Sequence, residues 1–359
     1  MQVLFVSRAF PPVIGGIERQ NFEIFSALKK KAQTTAIINR HGKIFLPLFF
    51  PYTLAAIFFK RNQYDIILLG DGVLALVAWI VKLFSRKPVV CILHGLDVTF
   101  GNYFYRKLWL QVFFNAVDKF IAVGNETVHQ ATSRGVKESS LVFIPNGVNT
   151  AAVQSTYSRQ DLKDVIGKDV EGPVLLTLGR LVRRKGVAWF IRHVVPDLAA
   201  DVTYLVAGKG PEENMIRQAI EESGCAGRVL FLGAVTDIQK DILLTTADLF
   251  IQPNIPVAND MEGFGLVVLE AAMAGTYVVA SELEGLKDAI TDGKNGALVE
   301  AGNSVEYRKT IESLLEDPNA LQSKAARSLD FVRENYGWDR IAGQYLEVLS
   351  ATPGLSREH

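Results

Sequence analysis

Short apolar runs alternate with longer amphipathic segments along almost the whole chain, and this alternation constrains the fold more than any other feature. The runs are rich in β-branched residues and nearly continuous in apolar character, as strands buried on both faces of a sheet should be. In the intervening segment GGIERQNFEIFSALKK, residues Ile17, Ile24 and Leu28 fall on one helical face. Such alternation is typical of parallel βαβ units.

The predicted strands form two sets, separated by the polar stretch Asn149–Pro173, which predicts no strand. The first set is Val3–Ser7, Thr35–Asn39, Asp65–Gly70, Val89–His94, Lys119–Gly124 and Leu141–Pro145. The second set is Val174–Gly179, Val202–Gly208, Val229–Gly233, Leu249–Pro253, Tyr277–Ser281 and Gly296–Val299. An α/β protein of two doubly wound Rossmann-like domains is therefore predicted, over residues 1–155 and 156–359. The two sheets are expected to face an interdomain cleft, and a helix near residues 338–350 is a candidate to pack back on the first domain.

Charge is divided unevenly along the chain, although 38 Lys and Arg residues balance 38 Asp and Glu residues. Residues 1–150 hold 17 basic and 8 acidic side chains, a net charge of +9, and the remainder carries −9. A basic half favours an anionic substrate or surface. Nucleic acid is not an expected partner, because the basic residues are scattered and no motif that reads DNA or RNA accompanies them.

Neither the cysteines nor the N-terminal segment contains a motif that indicates a particular chemistry. Cys91 and Cys225 lie in different contexts and predict no disulfide framework, and Cys91 is expected to pack as a small hydrophobe. No spacing of Cys or His is typical of a metal site, so no metal is expected. No cofactor is expected either. The N-terminal MQVLFVS lacks a charged n-region, which favours a first strand and a cytoplasmic location.

Two longer apolar stretches bear on membrane contact. Ile44–Phe59 is uncharged but contains two prolines, and Gly72–Phe84 is shorter. Neither reaches the roughly 20 apolar residues of a membrane-spanning helix. One interpretation is a pair of helices buried against a sheet. The alternative is a surface that rests on an anionic membrane, with Lys43, Lys60 and Arg61 beside it.

Two turns in the first half carry candidate ligand groups. In SRAFPPVIGGIER, Gly15 and Gly16 precede a helix whose N-terminal N–H groups can face an anion, unless the turn serves chain geometry alone. Its spacing differs from G-x-G-x-x-G, which argues against a nicotinamide enzyme. In ILHGLD, His94 stands at a strand end, where imidazole can exchange a proton with a hydroxyl near neutral pH. A purely structural histidine is the alternative.

A basic turn opens the second half. In LGRLVRRKG, Arg180 and Lys185 follow a predicted strand directly. Arginine offers a bidentate fork and lysine a point charge, which together suit a diphosphate, whereas the alternative is a solvated basic loop. The glycine-containing VAGKGPEE is interpreted as turn geometry.

The stretch MEGFGLVVLEAAMAG contains two glutamates eight positions apart. A helix is expected to begin near Leu266, because the apolar residues after it then share a face and a glycine ends it. Glu262 then lies on the loop and Glu270 about one turn into the helix. The N–H groups near Phe264, Gly265 and Leu266 are expected to point at an anion. The two carboxylates can then hold the two ends of one nucleotide-sugar, whereas the alternative is an ordinary loop glutamate and a solvated helix glutamate.

This ordered set of motifs resembles the retaining glycosyltransferases of the GT-B fold, glycosyltransferase family four (the group 1 glycosyltransferases), over most of the chain. GGIE resembles the N-terminal glycine loop, HGLD the histidine turn, and PNGVN the segment before the linker. GRLVRRKG resembles the diphosphate site, and EGFGLVVLEAAMAG the E-x7-E signature. The sequence departs from the family in ELEGLKDAITDGKNG, where Glu284 replaces the first of two glycines.

The resemblance implies a role for each matched residue. Arg180 and Lys185 would bind the diphosphate, Glu262 the transferred sugar and Glu270 the ribose, while His94 would contact the donor sugar or the reacting centre. The implied catalytic set is His94, Glu262, Arg180 and Lys185. The implied donor-binding set is Gly15, Gly16, Arg180, Lys185, Glu262, Gly263, Phe264, Gly265, Leu266 and Glu270. Glu18 and Asp97 are assigned to the acceptor side.

The leading hypothesis is metal-independent transfer of a hexosyl group from a UDP- or GDP-sugar to a lipid-linked or glycan acceptor, with retention of configuration. It places the chain in cell-surface polysaccharide, lipopolysaccharide or glycolipid synthesis, with peripheral contact at the inner face of the cell membrane. The first domain would serve the acceptor and the second the donor. Transfer to a small soluble acceptor and a non-catalytic sugar-binding protein remain alternatives, and the E-x7-E context favours transfer over epimerisation.

Overall fold

The computed structural model of the chain describes residues 1–13, 15–150, 157–258 and 260–354. It divides into two compact units, one of Met1–Gly147 with Tyr336–His359 and one of Val148–Asn335. The predicted boundary between residues 155 and 156 lies outside the described residues. Each unit is built on a parallel sheet of six strands in the described part of the chain, which confirms the predicted α/β class.

The sheet of the first unit has the strand order β2-β1-β3-β4-β5-β6. Its strands are β1 Gln2–Ser7, β2 Gln33–Ile38, β3 Ile66–Leu69, β4 Val89–Leu93, β5 Lys119–Ala122 and β6 Leu141–Phe143. Strand β1 pairs with β2 on one side and with β3 on the other, so the winding direction reverses between β1 and β3. The crevice outside the carboxyl ends of two such strands is where doubly wound sheets bind ligands.

Helices cover this sheet. They are Gly16–Lys31, Leu46–Phe59, Ala75–Val81, Asn125–Ser133 and Trp338–Ala351, with short helical turns at Leu96–Thr99, Tyr103–Tyr105 and Arg106–Leu110. The C-terminal helix Trp338–Ala351 lies against Gly16–Lys31. Cys91 is fully buried in β4, and burial raises the pKa of its thiol, so it packs as the predicted small hydrophobe.

The two apolar stretches form helices that are buried on one face only. In Leu46–Phe59, the buried residues Phe49, Thr53 and Ile57 recur every fourth position and so lie along one face. The other face is apolar and open, with Leu48 68% and Phe59 81% exposed. The described residues contain no helix that is both long and apolar enough to span a membrane.

The sheet of the second unit has the strand order β12-β11-β10-β7-β8-β9. Its strands are β7 Val174–Leu178, β8 Thr203–Ala207, β9 Val229–Gly233, β10 Leu249–Gln252, β11 Tyr277–Ser281 and β12 Ala297–Val299. Strand β7 pairs with both β8 and β10, so the winding reverses between β7 and β10. All predicted strands of both units are present to within two residues at each end.

The helices of the second part of the chain are Arg159–Ile166, Val187–His193, Glu213–Glu222, Asp237–Thr246, Leu266–Met273, Leu286–Ala289, Ser304–Leu315 and Pro318–Tyr336. The first of them lies in the polar stretch for which no strand was predicted. It begins with a capping box, in which Ser158 and Asp161 bond each other's backbone N–H groups.

Candidate functional site

Two loops meet at the reversal point of the second sheet, one after β7 and one after β10. After β7 the chain forms the turn Arg183–Lys185 and then Gly186, whose φ is 65°. A Cβ at Gly186 would overlap the carbonyl of Pro253, so only glycine allows this close approach. The Ile255 N–H donates to the Arg184 carbonyl at 2.9 Å, which ties the two loops together.

The side chain of Glu262 is the centre of this site. Its Oε2 lies 2.6 Å from Nζ of Lys185 and 3.5 Å from Nε of Arg184. Nδ2 of Asn254 donates to the same oxygen at 3.2 Å. Gln252, in turn, donates to Oδ1 of Asn254 at 2.5 Å. A carboxylate from one loop is therefore held by cations from the other.

Burial and neighbouring charges act in opposite directions on the pKa of Glu262, which is only 8% exposed. Burial disfavours the ionised form and would raise the pKa, but the charges of Lys185 and Arg184 outweigh it and hold the pKa of Glu262 below its ordinary value. The group is therefore ionised at neutral pH. Arg184 is shared with a second carboxylate, Oδ1 of Asp260, at 2.7 Å.

The helix Leu266–Met273 begins where the sequence predicts, and Gly265 is its N-cap residue. Phe264 is 3% exposed, so the loop before the helix is anchored in the core. Glu270 lies on the helix as predicted, and its Oε2 accepts a hydrogen bond from Nζ of Lys240 at 2.7 Å. The two glutamates of the E-x7-E stretch thus pair with lysines from different elements, and Lys240 was not among the predicted residues.

Arg180 and Lys185 have different environments, although the sequence predicts that they act together. Lys185 is 8% exposed and paired with Glu262, whereas the Arg180 side chain is exposed just beyond the end of β7. The structure also adds Arg184 and Asn254 to the site. The sequence contains both residues, but no local motif indicates which of several loop side chains turns toward Glu262.

In the first unit, His94 follows β4 and is 8% exposed. Its Nε2 lies 2.8 Å from the carbonyl oxygen of Gly70, at the end of β3. Oδ2 of Asp97 accepts hydrogen bonds from the N–H groups of His94 and Gly72, at 3.0 and 3.2 Å. Asp97 thus organises the turn around His94, and its assignment to the acceptor side stays a prediction.

A buried ion pair lies at the reversal point of the first sheet. Nε of Arg8, after β1, is 2.9 Å from Oδ1 of Asp71, after β3. Burial raises the pKa of Asp71, and the nearby charge of Arg8 offsets only part of that increase. Neither residue was predicted, because each is an isolated charge that follows an apolar strand.

The glycine turn before Gly16–Lys31 contains three of the predicted residues. Gly15 is the N-cap residue and Gly16 is the first residue of the helix. The Glu18 carboxylate folds back over Gly15, where an added Cβ would overlap it. A carboxylate at a helix N-terminus is favoured by the helix dipole. The position at which the sequence predicts a bound anion is therefore beside the chain's own negative charge.

Two family models match the sequence. Residues 158–328 match "Glycosyl transferases group 1", and residues 33–152 match "Glycosyltransferase Family 4". A phosphatidyl-myo-inositol mannosyltransferase of Mycobacterium leprae is 34% identical over 58% of this chain and 53% of the relative. A GDP-mannose-dependent alpha-(1-6)-phosphatidylinositol monomannoside mannosyltransferase of Mycolicibacterium smegmatis is 25% identical over 77% of this chain and 74% of the relative. The chain spans about half the length of the first of these mannosyltransferases.

Solved structures resemble the chain over nearly its whole length. Anabaena HepE in complex with UDP superimposes with a TM-score of 0.77 at 22% identity, covering 98% of this chain and 100% of the other. The catalytic domain of starch synthase IV from Arabidopsis thaliana, bound to ADP and acarbose, gives a TM-score of 0.80 at 14% identity, covering 99% of each chain. These likenesses establish the fold, and the predicted GT-B fold is confirmed.

Proposed function

The chain belongs to the group 1 glycosyltransferases, and on this premise we propose that it transfers a hexosyl group from a UDP- or GDP-sugar to a lipid-linked or glycan acceptor. The proposal includes retention of the anomeric configuration. The observation that carries it is the cluster of Lys185, Arg184 and Asn254 around Glu262, at the reversal point of the second sheet. A doubly wound sheet binds its ligands at this position.

The cluster supplies the electrostatics that transfer needs. Cleavage of the bond to the sugar leaves negative charge on the nucleoside diphosphate, and fixed cations stabilise that charge. Lys185 and the exposed Arg180 are the groups proposed for this role. Glu262 accepts hydrogen bonds from hydroxyls of the transferred sugar, and Glu270 accepts them from the ribose. The N–H groups of Phe264, Gly265 and Leu266 face the phosphate.

We propose that these cations, rather than a metal ion, neutralise the departing diphosphate. Transfer is then expected to continue at an undiminished rate after dialysis against EDTA. A loss of activity that divalent cations restore would contradict this part of the proposal.

The first unit is proposed to hold the acceptor. When Nε2 of His94 donates to the Gly70 carbonyl, Nδ1 carries the lone pair and can accept a hydrogen bond from a hydroxyl. Gly15 and Gly16 would approach the donor phosphate with their backbone. The names of the mannosyltransferase relatives support a lipid-linked acceptor, and the UDP in the HepE structure supports a nucleotide-sugar donor.

We propose peripheral contact at the inner face of the cell membrane, and the open apolar face of Leu46–Phe59 supports contact with a lipid surface. Phe59 is 81% exposed, and the neighbouring Lys60 and Arg61 are also exposed. Apolar side chains beside basic ones favour an anionic lipid surface. Phe59→Ser is expected to weaken flotation with phosphatidylserine vesicles, and Ile238→Ser, at a site of the second unit that is 66% exposed, is not. If the wild-type protein does not float with the vesicles at low salt, the proposed membrane contact is wrong.

The direct test of the site is a pair of substitutions. Glu262→Ala and Lys185→Ala should each abolish transfer while the protein still folds, whereas Lys209→Ala, an exposed lysine on the turn after β8, should not. A thermal-shift panel of UDP-, GDP- and ADP-sugars identifies the donor for this assay. Unchanged activity in both variants would refute the assignment of the site.

A further inference from the structure

The turn after β11 contains a glutamate in an unfavourable backbone conformation. Among the described residues, Glu284 alone combines a side chain with a positive φ, which is 46°. The left-handed region crowds Cβ against the backbone, and glycine is the usual residue there. Strained residues of this kind occur preferentially at functional sites.

The strained residue bonds directly to the backbone of Glu262. Oε2 of Glu284 accepts a hydrogen bond from the Glu262 N–H at 2.6 Å. The Gly285 N–H donates to the Glu262 carbonyl at 3.1 Å. A Cβ at Gly285 would overlap the backbone of Gly263, so the two segments touch. The 284–285 turn therefore holds both polar groups of the Glu262 main chain.

The main chain and the side chain of Glu262 are fixed from different directions. The carboxylate is held by Lys185 and Asn254, which follow β7 and β10. The backbone is held by the turn after β11. A glycine at position 284 would accept the same φ without strain but would leave the Glu262 N–H without this carboxylate. The glutamate thus adds an orienting contact at the cost of local strain.

We propose that Glu284 is a positioning residue, which sets the direction in which the Glu262 carboxylate meets the hydroxyls of the transferred sugar. This inference rests on the proposed function, because the sugar contact of Glu262 is part of it. Glu284 acts through the backbone of Glu262 and is assigned no contact with the sugar. Removing its carboxylate should impair catalysis without weakening the fold.

The test compares Glu284→Gly, Glu284→Gln and the matched control Glu282→Gly. Glu284→Gly removes both the strain and the acceptor, so the melting temperature should stay the same or rise while kcat falls at least about tenfold. A displacement of about 1 Å at a reacting group costs roughly a hundredfold in rate. Glu284→Gln keeps an acceptor oxygen and should retain most of the activity.

The control variant Glu282→Gly should show the opposite pattern of melting temperature and kcat. Glu282 is exposed in the same turn and has no positive φ. Glycine there loses more conformational entropy on folding, so the melting temperature should fall while kcat is unchanged. Wild-type kcat in Glu284→Gly, or a fall in melting temperature that accounts for its lost activity, would overturn the inference.

A second measurement separates this inference from the proposed function. Hydrogen–deuterium exchange of peptides that contain the Glu262 N–H is compared between wild type and Glu284→Gly, without any donor. Faster exchange in the variant supports the orienting contact, and unchanged exchange overturns it. A wild-type protein that transfers no sugar from any donor in the panel refutes the proposed function instead, while the exchange result still decides the contact.

Discussion

The ion pair between Lys185 and Glu262 allows a quantitative test of the site. Nζ and Oε2 are 2.6 Å apart, and the side chains are 10% and 11% exposed. At an effective dielectric constant of about 20, two unit charges at this separation attract by about 6 kcal/mol. Desolvation costs several kcal/mol per ion, so the pair contributes little net stability. Removing one partner is costly, at about 3–5 kcal/mol, because the other charge stays buried.

The perturbation is a double-mutant cycle of Lys185→Met, Glu262→Gln and the double variant. The loss of unfolding free energy in Lys185→Met should lie near the lower end of the range of about 3–5 kcal/mol, because Arg184 at 3.5 Å and Asn254 at 3.2 Å still contact the carboxylate. The double variant leaves neither charge buried and should lose less than the sum of the single variants. We expect a coupling free energy of about 2–3 kcal/mol, measured by urea unfolding. Additive losses would refute the coupling.

The same variants should separate stability from function. Transfer should fall roughly 100- to 1,000-fold in all three, and the double variant should not regain it. The two single variants should differ in their affinity for a nucleoside diphosphate. Glu262→Gln frees Lys185 from its carboxylate and should bind the diphosphate at least as tightly as wild type, whereas Lys185→Met should bind it more weakly. Unchanged diphosphate affinity in Lys185→Met, measured by calorimetry, would refute the role of this lysine.

Three further predictions follow from the described contacts. Because burial raises the pKa of Asp71, the folded protein loses stability as pH rises from the ordinary carboxyl range to that raised pKa. Asp71→Asn should therefore lose less free energy of unfolding than wild type as the pH rises above the ordinary Asp pKa of about 4, measured by urea unfolding, and equal pH dependence would contradict this. Lys240→Met removes the lysine that orients Glu270, so steady-state kinetics should show a donor KM roughly tenfold higher with kcat little changed. A fall in kcat alone would argue against a ribose contact. Gly186→Ala places a Cβ at positive φ against a carbonyl, so thermal unfolding should show a loss of more than about 1 kcal/mol, and an unchanged melting temperature would contradict the close approach.

Most of the fold could be predicted from the sequence, because strands buried on both faces produce continuous apolar runs. The observed strand ends differ slightly from the predicted ones, because a strand ends where its hydrogen-bond ladder ends and not where the apolar residues stop. The predicted strand Val89–His94 ends at Leu93, because the His94 N–H donates to Oδ2 of Asp97 and not to a neighbouring strand. The helix Arg159–Ile166 was missed, although Ser158 and Asp161 form a capping box and Leu162, Val165 and Ile166 recur at helical spacing. The helix has only eight residues and lies within a long polar stretch, so its pattern does not stand out.

Only those residues of the candidate site that lie close together in the sequence could be predicted. Glu262, Glu270 and the start of the helix between them lie within one short segment, whose spacing alone fixes their order. Their partners come from other loops. Lys240 lies 30 residues before Glu270 and reaches it because the helices that carry them are neighbours in the fold. Such contacts depend on strand order, which a motif does not encode.

Glu284 shows why a departure from a family pattern is hard to interpret without a structure. In the sequence, a glutamate in place of the first of two glycines indicates only a cost, because the turn requires a backbone conformation that disfavours a side chain. The compensating contact is with the backbone N–H of Glu262, 22 residues away, at 2.6 Å. A residue that is unfavourable locally and bonded to the centre of the site is better explained by the position it imposes on Glu262 than by the stability of its own turn.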